Sequence, residues 1–141
     1  MTDARPLAEL ARALEERALS EHRARVAETE ARRREIAEID ALRDAARDAQ
    51  RDLTTGRLVG ADMIWQGWLL RRRSEAMREA ALARAAELDS AAIARLALAR
   101  KDAAEALVAA SDTARKAAVD RHRQEALEAL MVLAAGQSGR R

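Results

Sequence analysis

The side chains that could do chemistry in this chain are two histidines and 24 carboxylates, and their spacing gives chemistry little to work with. His22 and His122 lie far apart, each without a second histidine at metal-ligand spacing, so no metal site is expected. There is no cysteine, hence no thiolate nucleophile and no disulfide framework, which fits a reducing cytoplasm. Neither a glycine-rich phosphate loop of the Walker kind nor a Gly-x-Ser-x-Gly turn occurs. The carboxylates are interspersed with 26 Lys and Arg, as on any charged helix, and nothing excludes water around them to tune them as general acids or bases. No catalytic residue and no cofactor is expected.

Binding is better served. Trp65 and Trp68 are the only aromatic residues, and a spacing of three puts them on one helical face. Arg71, Arg72 and Arg73 follow one turn on, and Trp and Arg are enriched at binding hot spots. Two readings stay open: the rings plug the wide end of a helical hairpin, or together with Leu69 and the arginines they form an exposed docking patch. A second candidate is Leu127, Leu130, Met131 and Leu133 near the C-terminus.

The elements that must position these residues are helices. Ala, Leu, Arg and Glu dominate, all strong helix formers, and Tyr and Phe are absent. Hydrophobic residues make up 49% of the chain, but most are alanine, which buries little area, so no thick core can form. The one internal cluster of breakers runs from Thr54-Thr55-Gly56 to Gly60. The fold class expected is therefore all-α, a long antiparallel two-helix coiled-coil hairpin with a longer second helix. A single domain 1–141 would comprise helix one over 5–53, a turn at 54–60, helix two over 61–135 and a frayed tail at 136–141.

Asp3 and Pro6 suit a helix start near Arg5, Gly56 suits a helix end, and Asp62 suits a cap for helix two. The seam of helix one reads Leu7, Leu10, Leu14, Ala18, His22 and Val26, then Ile36, Ile39, Leu42, Ala46, Ala49 and Leu53. The consecutive threes at Ile36, Ile39 and Leu42 predict a break in heptad phase, and the lack of large apolar residues between Glu28 and Glu35 predicts a soft middle. On helix two the seam reads Ile64, Trp65, Trp68 and Leu69. It continues through Ile93, Leu96, Ala103, Leu107, Ala110, Ala114 and Ala117, and ends with Leu127, Leu130, Met131 and Ala134. At about 1.5 Å per residue, a closed hairpin leaves roughly 40 Å of helix two unpaired. That overhang calls for a partner, either a second copy in a homodimer or a foreign protein. A kink near Ser90 or Ser111 would instead fold helix two back into a three-helix bundle.

Charge narrows the partners. The net charge is only +2; residues up to Gly56 carry 11 basic and 13 acidic side chains, a net of −2, and the rest carry 15 and 11, a net of +4. Arg32–Arg34 and Arg71–Arg73 each fan around their helix instead of forming a stripe, so a nucleic-acid partner is not expected. The uncharged run Met63–Leu70 is far shorter than the roughly 20 residues of a membrane span. Acidic residues near the N-terminus and the lack of an apolar block argue against a signal peptide, and the location expected is cytoplasmic. Disorder is the alternative for a chain with 35% charged residues, opposed by its alanine content.

The run from Gly60 to Leu70, Gly-Ala-Asp-Met-Ile-Trp-Gln-Gly-Trp-Leu-Leu, following a turn in an all-helical chain of this length, resembles the FliJ/YscO family of flagellar and type III secretion export. The resemblance covers nearly the whole chain and implies a coiled-coil stalk. Such a stalk is held by the export ATPase ring and meets the export gate near the bend, peripheral to the membrane, and it can handle export chaperones. By position, Trp65, Trp68 and Leu69 match the segment the family uses near the gate. The chain departs from the family at Ala46 and Ala49, where tyrosines are common, and at Arg71–Arg73.

Overall fold

The computed structural model describes residues 3–52 and 59–138. It is an all-α antiparallel hairpin whose second helix is the longer: α1 spans Arg5–Asp52 and α2 spans Val59–Ser138. The start of α1 is the one expected. Asp3 accepts a hydrogen bond from the Arg5 N–H at 3.1 Å, covering a donor the first turn leaves unpaired, and Pro6 brings no donor to that turn. Leu53, Gly56 and the rest of 53–58 lie outside the described residues, as does 139–141. α2 begins earlier than expected, so Gly60 is helical and Asp62 is an acidic residue of the first turn and not a cap. At the other end α2 runs through Gly136 to Ser138. Ser90 and Ser111 lie within this one helix, and the three-helix alternative is not adopted.

Contacts group the chain into two units, Met1–Leu14 with Leu98–Arg141, and Glu15–Ala97. In the second, α1 and α2 meet through a regular heptad. The inward positions of α1 are Ala18, His22, Arg25, Thr29, Arg32, Ile36, Ile39, Arg43 and Ala46, alternating steps of four and three. The phase break expected at Ile36–Leu42 does not occur, because the seam passes from Ile39 to Arg43 and leaves Leu42 exposed. Facing them on α2 are Leu69, Ala76, Ala83, Ser90 and Ala94. Leu69 is completely buried against Ile39, Ile36 and Ala76.

The middle that lacks large apolar residues is held by polar pairs. Arg32 donates to Glu79 at 2.8 Å, Arg72 pairs with Glu35, and buried Thr29 donates to the Arg25 carbonyl at 3.1 Å. Farther along the seam, Ser90 donates its only proton to the Glu87 carbonyl at 2.8 Å. The 2.9 Å contact between Ser90 Oγ and His22 Nδ1 therefore has the imidazole Nδ1–H as donor.

In the first unit the seam is smaller still. Ala8 and Ala11 of α1 pack on Ala104 and Val108 of α2. The expected seam residues Leu7, Leu10 and Leu14 are exposed. The physical reason is rotation. Positions 8 and 11 fall four heptads before Ile36 and Ile39, so the phase that buries the isoleucines turns the alanines inward and the leucines out. Likewise Ile93, Leu96 and Leu107 face outward while Ala94 and Ala104 are buried. Small side chains at the seam let the two backbones approach closely.

Candidate partner-binding surfaces

The first candidate surface belongs to the Glu15–Ala97 unit and lies at the start of α2. Leu69 takes the inward position there, with Trp65 one turn before it at the margin of the seam and Trp68 beside it, neither of them buried. Their rings stack on each other with centroids 5.1 Å apart and planes 13° from parallel, and the two residues remain 44% and 46% exposed. Ile64 and Arg71 complete an open cleft of about 470 Å³ beside the rings, and Met63 is exposed on the preceding position. Leu69 is fully enclosed in the seam, while the two rings keep nearly half of their surface exposed. Leu69 is thereby withdrawn from the surface to which its position had assigned it.

The three arginines divide by direction. Arg71 is exposed and has no ion pair among the described residues. Arg72 pairs with Glu35 across the seam and with Glu75 one turn on at 3.7 Å. Arg73 grips Asp40 with two hydrogen bonds, Nε to Oδ1 at 2.7 Å and Nη2 to Oδ2 at 3.3 Å. These bonds hold the Asp40 carboxyl below its ordinary 3.8 and raise the Arg73 guanidinium, with Arg43 adding a weaker bond to Asp40. Arg72 and Arg73 thus tie α2 to α1, and of the three only Arg71 is exposed. The signal that would have revealed this is the placement of Glu35 and Asp40 at matching antiparallel levels.

The second candidate surface belongs to the other unit. Among the described residues the cross-helix ion pair farthest along α2 is Arg5 with Asp112 at 3.3 Å. Every residue of α2 from Thr113 to Gln137 is exposed, and at about 1.5 Å per residue this overhang is close to the 40 Å expected. It carries Leu127, Leu130 and Met131, together with Val132 and Leu133, so the apolar residues cover all sides of the helix instead of one stripe.

Among the described residues no group of three His, Cys, Asp or Glu could hold a metal ion, and every buried side-chain N or O atom has a hydrogen-bond partner. Among the same residues no helix is long and apolar enough to cross a membrane. No protein family, no curated protein and no solved structure matches the chain.

Proposed function

We propose that this chain is a non-enzymatic coiled-coil stalk of a flagellar or type III protein export apparatus, cytoplasmic, linking the export ATPase ring to the export gate and handling export chaperones. The observation that carries the reading is the stacked Trp65–Trp68 pair, held outside the seam at the start of α2 and therefore free for another protein. In the family that the segment resembles, that position meets the gate. The exposed overhang of α2, in the other unit, supplies a length of helix to be gripped by a ring. Co-purification from cell extract followed by mass spectrometry tests this reading. Recovery of a hexameric ATPase or a gate component supports it, and a preparation containing neither refutes it.

A second reading is a helical scaffold that self-associates with no export role, favoured by the same overhang. The two separate on the Trp65→Ala, Trp68→Ala double variant, which on the export reading loses gate binding and on the scaffold reading leaves every association unchanged.

A further inference from the structure

We infer that two copies of this chain pair antiparallel through the unit formed by residues 1–14 and 98–141, the overhang of each lying on an apolar face of the other. The face is built by both helices. Arg12 follows the seam residue Ala11 and Glu105 follows Ala104, and they pair at 2.8 Å, as Arg5 and Asp112 do, so one side of the hairpin is charged. Leu7 precedes Ala8, Leu14 stands in the same position one heptad on, and Leu107 precedes Val108. By the same geometry these three line the opposite side, with Leu10 beside them, and all four are about half exposed. Arg12 is level with Glu105, which puts Leu10 level with Leu107.

The occupant is identified by what fits this face. α2 carries a second heptad outside the seam, Ala103, Leu107, Ala110, Ala114 and Ala117, which continues with the same spacing through Arg121, Gln124, Glu128 and Met131. Its alternation of four and three reads the same in either direction about residue 119. A two-fold axis there sets Leu107 level with the second copy's Met131 and Ala103 level with its Ala135. No like charges meet along the stripe: Arg121 falls opposite Ala117 and Glu128 opposite Ala110. The second copy's overhang tip, apolar on every side, then lies along Leu7, Leu10 and Leu14, and the two stretches have nearly equal lengths, at about 1.5 Å per residue.

Area agrees. Four face residues and four tip residues, each exposing on the order of 100 Å², offer at most about 800 Å² per copy, the size of a standard stable interface. The arrangement is isologous, since each copy gives a tip and receives one, so it closes at two copies. It concerns the isolated chain and stands whether or not the export reading does.

Sedimentation equilibrium of the full chain at about 100 μM should give twice the 15.5 kDa of one copy. Leu10→Glu and Leu130→Glu should each weaken dimerisation at least tenfold with unchanged helicity by circular dichroism, because both side chains are exposed in the single chain. Leu82→Glu, an equally exposed leucine of the other unit, should leave the dimer intact. The chain has no cysteine, so copies carrying Leu10→Cys and Met131→Cys can be mixed and treated with a short bismaleimide. A covalent pair formed in the mixture and by neither variant alone is expected. A monomer at that concentration, equal sensitivity to Leu82→Glu, or a cross-link between two Met131→Cys copies overturns the inference.

Discussion

Replacing Leu69 by alanine and replacing Trp65 and Trp68 together by alanine should have opposite consequences for stability and for binding. Leu69 is 0% exposed and is the largest side chain fully enclosed by the hairpin. Truncating a buried leucine removes its transfer energy and leaves a cavity, together about 2–5 kcal/mol. Its apolar neighbours include Ile36, Ile39 and Ala76 in a seam only two helices thick, so neighbours and water can partly fill the space, and the lower end, about 2–3 kcal/mol, applies. That shifts the folding equilibrium by roughly 30-fold or more, since about 1.4 kcal/mol is tenfold. The two tryptophans are about half exposed and stack on each other, so losing both forfeits about 0.5–1.5 kcal/mol of ring–ring contact. Urea unfolding followed by circular dichroism measures both. If the double tryptophan variant loses as much stability as Leu69→Ala, the rings are plugging the hairpin and the reasoning that makes them a docking surface fails.

The remaining predictions use the same unfolding assay or a binding assay. Ala76→Leu, at another fully buried seam position, should destabilise by about 1–3 kcal/mol despite adding apolar area, because the helices must separate to admit it; an unchanged or raised midpoint would contradict the close seam. The Asp40 carboxyl is held below its ordinary 3.8, so its pairing with Arg73 contributes fully above that pH and is lost as the pH falls through the lowered value. The stability difference between the native chain and Asp40→Asn should accordingly be constant from neutral pH to about pH 4 and shrink below it. On the export reading, the Trp65→Ala, Trp68→Ala variant should retain its helicity and lose affinity for an isolated export-gate fragment, measured by titration calorimetry.

The architecture was legible because it depends on composition and punctuation. Strong helix formers run unbroken on both sides of Gly56, and Asp3 with Pro6 marks the first turn. The overhang followed from length alone. The facing of each helix was not legible, because hydrophobic periodicity weighs residues by size and so favours Leu7, Leu10 and Leu14 over Ala8 and Ala11. In a close antiparallel pair the seam is chosen by which phase lets backbones approach over many heptads, and alanine satisfies that better than leucine. The same bias assigned Ile93 and Leu107 to the seam in place of Ala94 and Ala104. At the candidate site, the arginine triplet looked uniform in sequence. Arg72 and Arg73 differ from Arg71 only in having Glu35 and Asp40 opposite them, a long-range fact that no local pattern contains.

The division of apolar residues by size bears on what such a chain can do. Alanines bury little area each, so the hairpin draws much of its cohesion from intrinsic helix propensity and from cross-helix pairs such as Arg73–Asp40 and Arg12–Glu105. Apart from Leu69, Ile36 and Ile39, many of the large apolar side chains stay outside the seam: Leu10, Leu107 and Leu130 are exposed, and the two tryptophans are about half exposed. A monomer gains nothing from that arrangement and risks aggregation by it. It makes physical sense if those side chains are buried in an assembly, so that the seam sets the register of two helices and their outer faces select what they bind. Stability and association are then linked, because any partner that covers the outer leucines binds only the folded hairpin and raises its stability in proportion to the logarithm of its concentration over its dissociation constant.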